Sequence, residues 1–283
     1  MRPRRSVKSF MTRQYHFIAG LPRSGSTLLS AILSQNPRFK TGVTSPVYAM
    51  VDHMVDAMGA EMKYSSFFDD ARRARVLRGL FESYYDEGPG SPEVVFDTNR
   101  MWTASASMVR TLYPETRIIC CVRDIYRVID SFEQIFRRNP LQYNSLFNYK
   151  NEPSIYGRVQ VMMSARDGVI GAPHSAIRSV WFTELSKMLV LVRYESLTKS
   201  PRQTMARLYE QLGQPIFEHD FDNVAAEEVE YDDRIGLPGL HTTRGKVEFR
   251  ERPLTIPPDI YQNYSHSNFW DVPAENINNV VII

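Results

Sequence analysis

The chain has only two cysteines in 283 residues, Cys120 and Cys121, and they are neighbours. Adjacent side chains on a strand leave opposite faces, so the pair reads as two buried hydrophobes rather than a redox or metal site. No Cys/His set has metal-ligand spacing. Long apolar runs are missing too: charged or polar residues break every hydrophobic stretch well short of the ~20 residues a membrane helix needs. The N-terminal Met1-Arg2-Pro3-Arg4-Arg5 is basic, but no apolar h-region follows it. That argues against a signal peptide and makes a cytoplasmic location the expectation. Charge of one sign is scarce, since 34 Lys and Arg stand against 32 Asp and Glu for a net +2. With no basic residues interleaved among the aromatics, nucleic acid is not an expected partner. The basic arm reads as a solvated tail. No internal repeat or low-complexity tract is visible.

What is present suits a globular enzyme. A hydrophobic content of 43% over this length can bury a sizeable core. Residues 1–14 read as a flexible basic arm and 15–283 as a single domain. Apolar runs near 16–21, 38–42, 93–98, 116–123 and 188–194 alternate with helical patterns, which predicts an α/β fold with a parallel sheet flanked by helices. Two helical insertions are expected, about 46–87 and 140–186. The first ends in the helix stop Asp86-Glu87-Gly88-Pro89-Gly90-Ser91-Pro92. Trp102 and Trp181 read as core anchors.

The informative segment is Gly20-Leu21-Pro22-Arg23-Ser24-Gly25-Ser26-Thr27, between the apolar run His16-Phe17-Ile18-Ala19 and the helical Leu28-Leu29-Ser30-Ala31-Ile32-Leu33. Strand, tight loop and helix N-terminus in that order make an anion site. Glycines let the backbone approach a ligand, while free N–H groups and the helix dipole face it. Ser24, Ser26 and Thr27 add hydroxyl donors. The spacing is nearly G-x-x-x-x-G-K-[ST], but Ser26 occupies the lysine position and the cation has moved to Arg23. In this the loop resembles the 5′-phosphosulfate loop of sulfotransferases that use 3′-phosphoadenosine 5′-phosphosulfate (PAPS), above all the tyrosylprotein group with its Pro-Arg-Ser-Gly-Thr-Thr-Leu.

Three downstream segments extend the resemblance over roughly residues 16–215. Val94-Val95-Phe96-Asp97-Thr98-Asn99-Arg100 resembles the family's Asn-Lys strand end, which implies that Arg100 faces the transferring group. Arg117-Ile118-Ile119-Cys120-Cys121-Val122-Arg123-Asp124 carries Arg123, with Ser131 two helical turns beyond it. The two are similar to the 3′-phosphate site: a planar, permanently charged fork plus a hydroxyl donor. Val192-Arg193-Tyr194-Glu195-Ser196-Leu197 resembles the strand end whose tyrosine contacts the nucleotide. Thr243-Arg244-Gly245-Lys246-Val247 is similar to the basic loop that closes over it, through Arg244 and Lys246. Gly20, Arg100, Arg123 and Tyr194 all fall at predicted strand ends, where ligands of parallel sheets collect.

The resemblance implies a P-loop NTPase-like sulfotransferase fold and in-line transfer of a sulfuryl group from PAPS to a hydroxyl, or an amine, of an acceptor. Arg23 and Arg100 would stabilise the developing charge without a metal. Two departures stand out. The tyrosylprotein relatives carry a glutamate after the second strand, where this chain reads Gly42-Val43-Thr44-Ser45-Pro46-Val47, and an arginine where it has Ile135. Hydroxyls such as Thr44 and Ser45 are poor bases at neutral pH. Asp52, His53 and Asp97 are the nearby candidates for the base, Asp97 and His53 before Asp52, with another residue or a late, largely unassisted proton loss as the alternatives; a carboxylate beside Arg100 should have a lowered pKa. Arg127, Arg137 or Arg138 could replace the missing arginine. Two other function classes stay open. One is a P-loop kinase with Asp124 as its magnesium ligand; the other is a non-catalytic nucleotide-binding protein. The acceptor stays open among a peptide tyrosine, a sugar, a lipid and a secondary metabolite. The tail ending Val280-Val281-Ile282-Ile283 docks either on the core or on a second copy of the chain, as in a homodimer.

Overall fold

The computed structural model describes residues 13–138, 152–225, 229–234, 240–243 and 245–283. Most of the expected arm, the first part of the second insertion (140–151) and Arg244 lie outside these residues. The chain runs β1 (Gln14–Gly20), α1 (Ser26–Leu33), β2 (Phe39–Lys40), α2 (Val47–Ala57), α3 (Asp70–Tyr85), β3 (Val94–Thr98), α4 (Ala106–Leu112), β4 (Ile118–Val122) and α5 (Ile125–Arg138). It continues with α6 (Ile155–Met162), α7 (Gly171–Trp181), β5 (Leu189–Arg193), α8 (Tyr194–Lys199), α9 (Pro201–Leu212), α10 (Val229–Arg234), α11 (Pro258–Tyr264) and β6 (Val281–Ile282).

The sheet has the order β2-β3-β1-β4-β5-β6, and every pairing is parallel. Strand alternation divides the apolar residues between two cores. Tyr15, Phe17, Cys120 and Leu191 face one side, where α2–α7 pack; Ile18, Cys121, Val190 and Val192 face the other, where α1, α8 and α9 pack. The two cysteines thus sit on opposite faces, both buried. α3 shows how a helix is specified here. The Asp69 carboxylate accepts from the Arg72 N–H at 2.7 Å as N-cap, and Leu77, Phe81 and Tyr85, four apart, form its buried stripe. A fully buried side chain such as Phe81 contributes about 1.5–3 kcal/mol.

Two expectations are refined. The run at 38–42 shortens to the two residues of β2, and the C-terminal tail docks on its own sheet. Val281 and Ile282 pair with Val190 and Leu191, and the Ile283 N–H donates to Leu191 O at 2.8 Å. Trp102 and Trp181 are core residues. No helix among the described residues is long and apolar enough to cross a membrane.

Candidate active site

β1 lies between β3 and β4, so the chain leaves the C-terminal end of β1 at the point where the strand order reverses. Ligands of open α/β sheets gather in that crevice. Gly20 ends the strand with φ 110°, and a Cβ there would stand 2.2 Å from Cys121 O, so only glycine fits against β4. The Leu21 N–H closes the contact on the same carbonyl at 2.8 Å. Arg23 holds a left-handed φ of 58°, a conformation that costs a non-glycine residue about 1 kcal/mol. Gly25, φ 93°, caps α1 with no side-chain bond to the first amides, which leaves them to whatever binds the loop. A Cβ on Gly25 would press to 3.1 Å on the Tyr194 ring, so Tyr194 lies directly against the loop.

The cations converge from separate elements. Arg23 donates from Nε to Ser131 Oγ at 3.3 Å and from its other arm to Leu240 O. The Arg123 guanidinium stands 4.1 Å from the centroid of the Tyr194 ring and its Nε 3.7 Å from Glu195 Oε1. That Nε is buried without a hydrogen bond. An unmade bond of that kind costs about 1–3 kcal/mol, more for a charged group, so it calls for a partner. Burial depresses the pKa of both arginines, and Arg123's charge depresses that of Arg23 further. Two desolvated cations pressed together are relieved by an anion. Thr98 Oγ1, at the end of β3, is likewise buried without a partner.

These groups line a single cavity of about 550 Å³ together with Gly25, Ser26, Thr27, Arg100, Thr44 and Lys246. Lys246 is also paired with Asp222 at 2.7 Å. Of the residues expected at the site, Ser24 is buried beneath the loop with its hydroxyl on Pro22 O. Arg127 and Arg138 line the cavity, whereas Arg137 is turned to Glu133 and Thr255 O.

None of the expected bases faces this space. Asp97 is fully buried below it and accepts from Ser45 Oγ at 2.6 Å, Tyr85 OH at 2.6 Å and Trp102 Nε1 at 2.7 Å. The expected lowering of its pKa is overturned: burial pushes it up, against those three bonds. Thr98, the next residue on the strand, takes the cavity side instead. His53 and Asp52 are exposed on α2, with His53 Nδ1 2.7 Å from Ala49 O. Asp124, the magnesium ligand of the kinase alternative, accepts from Asn268 Nδ2 at 2.7 Å and is not part of the lining.

Sequence reasoning missed a strap, 248–252, that also lines the cavity, and Asp130, which holds the chain beyond it by accepting from the Thr255 N–H and Oγ1 at 2.6 and 2.8 Å. It also missed His241, beside Asp232. The one local signal was adjacency to the basic loop at 243–247.

The model of the sulfotransferase family matches residues 16–219 of this chain. Nodulation protein NoeE of Sinorhizobium fredii is 25% identical over 220 residues, 70% of this chain and 49% of NoeE, so the chain spans about half the length of that relative. Among solved structures, the sulfotransferase domain of the Synechococcus PCC 7002 olefin synthase aligns with TM-score 0.48 and 16% identity, covering 88% of this chain and 93% of that one. Mouse sulfotransferase SULT7A1 complexed with PAP aligns with TM-score 0.47 and 12% identity, covering 94% and 90%.

Proposed function

The chain belongs to the sulfotransferase family, and from that premise we propose that it transfers a sulfuryl group from PAPS to an acceptor hydroxyl by in-line displacement. The observation that carries the donor assignment is Arg123: a desolvated guanidinium, stacked on Tyr194, whose Nε lacks a hydrogen bond in a cavity it shares with Ser131 and the loop. A 3′-phosphate offers the oxygens that group needs. The loop amides and α1 N-terminus suit the 5′-phosphosulfate, with Ser24 shaping the loop from below and Ser26 and Thr27 at its mouth. Arg23 and Arg100 supply positive charge where it builds during transfer. Arg23 would have to exchange its bonds to Ser131 and Leu240 for the nucleotide. Lys246, on the cavity wall, belongs to the basic loop expected to close over it. In this reading 15–283 act as one catalytic domain, and the acceptor enters from the Thr44 and Arg100 side.

Calorimetry tests the donor. The full chain should bind 3′-phosphoadenosine 5′-phosphate (PAP) in preference to ADP with magnesium. Arg123→Ala should lose about 1.5–3 kcal/mol of that affinity, the worth of a hydrogen bond to a charged group. Preference for ADP with magnesium would overturn the assignment.

A further inference from the structure

The strap 248–252 reaches the cavity from outside the sheet, and both of its ends are anchored. At one end Lys199 Nζ, on α8, stands 4.3 Å from the centroid of the Phe249 ring. At the other the chain lies along one face of α5, where residues 127, 130, 134 and 137 form a stripe at helical spacing. Arg127 donates to Arg252 O at 2.7 Å and sets its other arm 3.7 Å from Glu251 Oε1. Buried Asp130 accepts from the Thr255 N–H and Oγ1, Gln134 donates to the same carboxylate at 2.7 Å, and Arg137 donates to Thr255 O at 3.0 Å. Since α5 follows β4 and α8 follows β5, the strap bridges two neighbouring strand ends. Arg123 stands at the end of β4.

What the strap presents there is Arg252. Its side chain lines the cavity and pairs with no carboxylate among the described residues. Burial first, and cationic neighbours after it, depress the pKa of Arg23 and of Arg123; Arg252 is one of those neighbours for both. Arg127, which holds the Arg252 carbonyl, acts on Arg123 and not on Arg23, so the anchored end of the strap belongs to the Arg123 side. A third guanidinium brought up to two desolvated ones is unfavourable until an anion joins them. Arg127 and Arg137, two of the residues that could have made up for Ile135, are spent on the strap, and Arg138 stands seven residues, or about 10 Å along α5, beyond Ser131. We propose that Arg252 is a further arginine of the 3′-phosphate site, added to Arg123 and Ser131 by the strap, with Arg127 and Asp130 as its positioning residues; this rests on the PAPS reading above. Its fork makes charge-assisted bonds that only a nucleotide bearing a 3′-phosphate can accept, so it is a determinant of donor specificity.

The test is calorimetry on the full chain with PAP and with AMP, the same nucleotide without its 3′-phosphate. Wild type should bind PAP more tightly than AMP. Arg252→Ala should weaken PAP about 10–100-fold and leave AMP within about threefold. Arg252→Gln, which keeps the stem of the side chain, serves if the first variant does not fold. Asp130→Ala should lower the preference for PAP over AMP in the wild-type background and add nothing in the Arg252→Ala background, a dependence that a general loss of structure would not produce. Thr255→Val, which leaves the Asp130 carboxylate in place and removes one of its donors, is the milder form of that comparison and should act in the same direction. An Arg252→Ala variant whose preference for PAP falls less than about threefold, or one that loses PAP and AMP alike, overturns the assignment. An Asp130→Ala loss of equal size in both backgrounds overturns the positioning role. A wild type with no preference for PAP over AMP sinks the donor reading instead, so the two failures are distinguishable.

Discussion

Asp97 offers a separation of structural from chemical roles. In Asp97→Ala the Tyr85 hydroxyl, the Trp102 indole N–H and the Ser45 hydroxyl lose their acceptor in a buried place. Each such loss costs about 1–3 kcal/mol. Part is returned, because the carboxylate itself is buried and its raised pKa means that its charge is disfavoured there. A net loss of about 4 kcal/mol is expected, or roughly 8–16 °C in Tm for a domain of this size. Asp97→Asn should be nearly neutral: its carbonyl still accepts from Trp102, and its NH2 can donate to the hydroxyl oxygens of Ser45 and Tyr85. The pH dependence differs as well. With the folded pKa above the unfolded value, the native state keeps a proton that the unfolded chain has released. Wild-type stability therefore falls as pH rises from the ordinary carboxylate range through the raised value. Asp97→Asn should remove that slope. Urea unfolding followed at several pH values, alongside PAPS turnover, measures all of this. Asn as damaging as Ala, or a wild type that gains stability over that window, would refute the account. A stable Asp97→Asn variant with kcat reduced over ~100-fold would return Asp97 to the chemistry.

Other perturbations have separable outcomes. Glu133→Gln strips the counterion from buried Arg158, 2.8 Å away with 5% and 2% of the two side chains exposed, and should cost about 3–5 kcal/mol by urea unfolding. Adding Arg158→Met should recover much of it. Gly20→Ala places a Cβ 2.2 Å from Cys121 O at φ 110° and should cost about 2–6 kcal/mol from overpacking plus backbone strain, read as a fall in Tm. His16 is buried with its pKa lowered to about 4, so the unfolded chain takes up a proton first as pH falls below the ordinary 6.5. Stability should decline by about 3 kcal/mol between those values, and His16→Phe should flatten that part of the curve.

The parts of the site legible in the sequence are those built from local geometry. The loop from Gly20 to Thr27 needs only a strand end, two glycines with positive φ and a helix start, all within eight consecutive residues. The cavity residues Arg123 and Ser131 belong to one strand end and the helix that follows it, so their spacing is visible along the chain. Asp97 was placed correctly along its strand and wrongly in environment. Its carboxylate is claimed by Tyr85 from the helix before and Trp102 from the turn after, and neither has a signature next to Asp97. Asp232, on α10, and His241 stand nine positions apart in sequence, with no period to betray their pairing. β6 is two residues long, too short for alternation to register.

Net charge was mute for a physical reason. The chain carries +2 overall, yet Arg23, Arg100, Arg123, Arg127, Arg252 and Lys246 line one cavity. Charge is sorted in space rather than along the sequence. Several of the counterions that the chain supplies are poor ones. Glu195 and Glu251 reach their arginines only at 3.7 Å, and the Lys246–Asp222 pair is more than half exposed on both sides. Exposed pairs of that kind are worth about 0–1 kcal/mol. A ligand carrying two or three negative groups therefore displaces little and gains charge-assisted bonds to desolvated donors. Pairs as weak as these compete little with an anionic ligand. Near-neutral composition and a cleft lined by cations are thus compatible in the same chain.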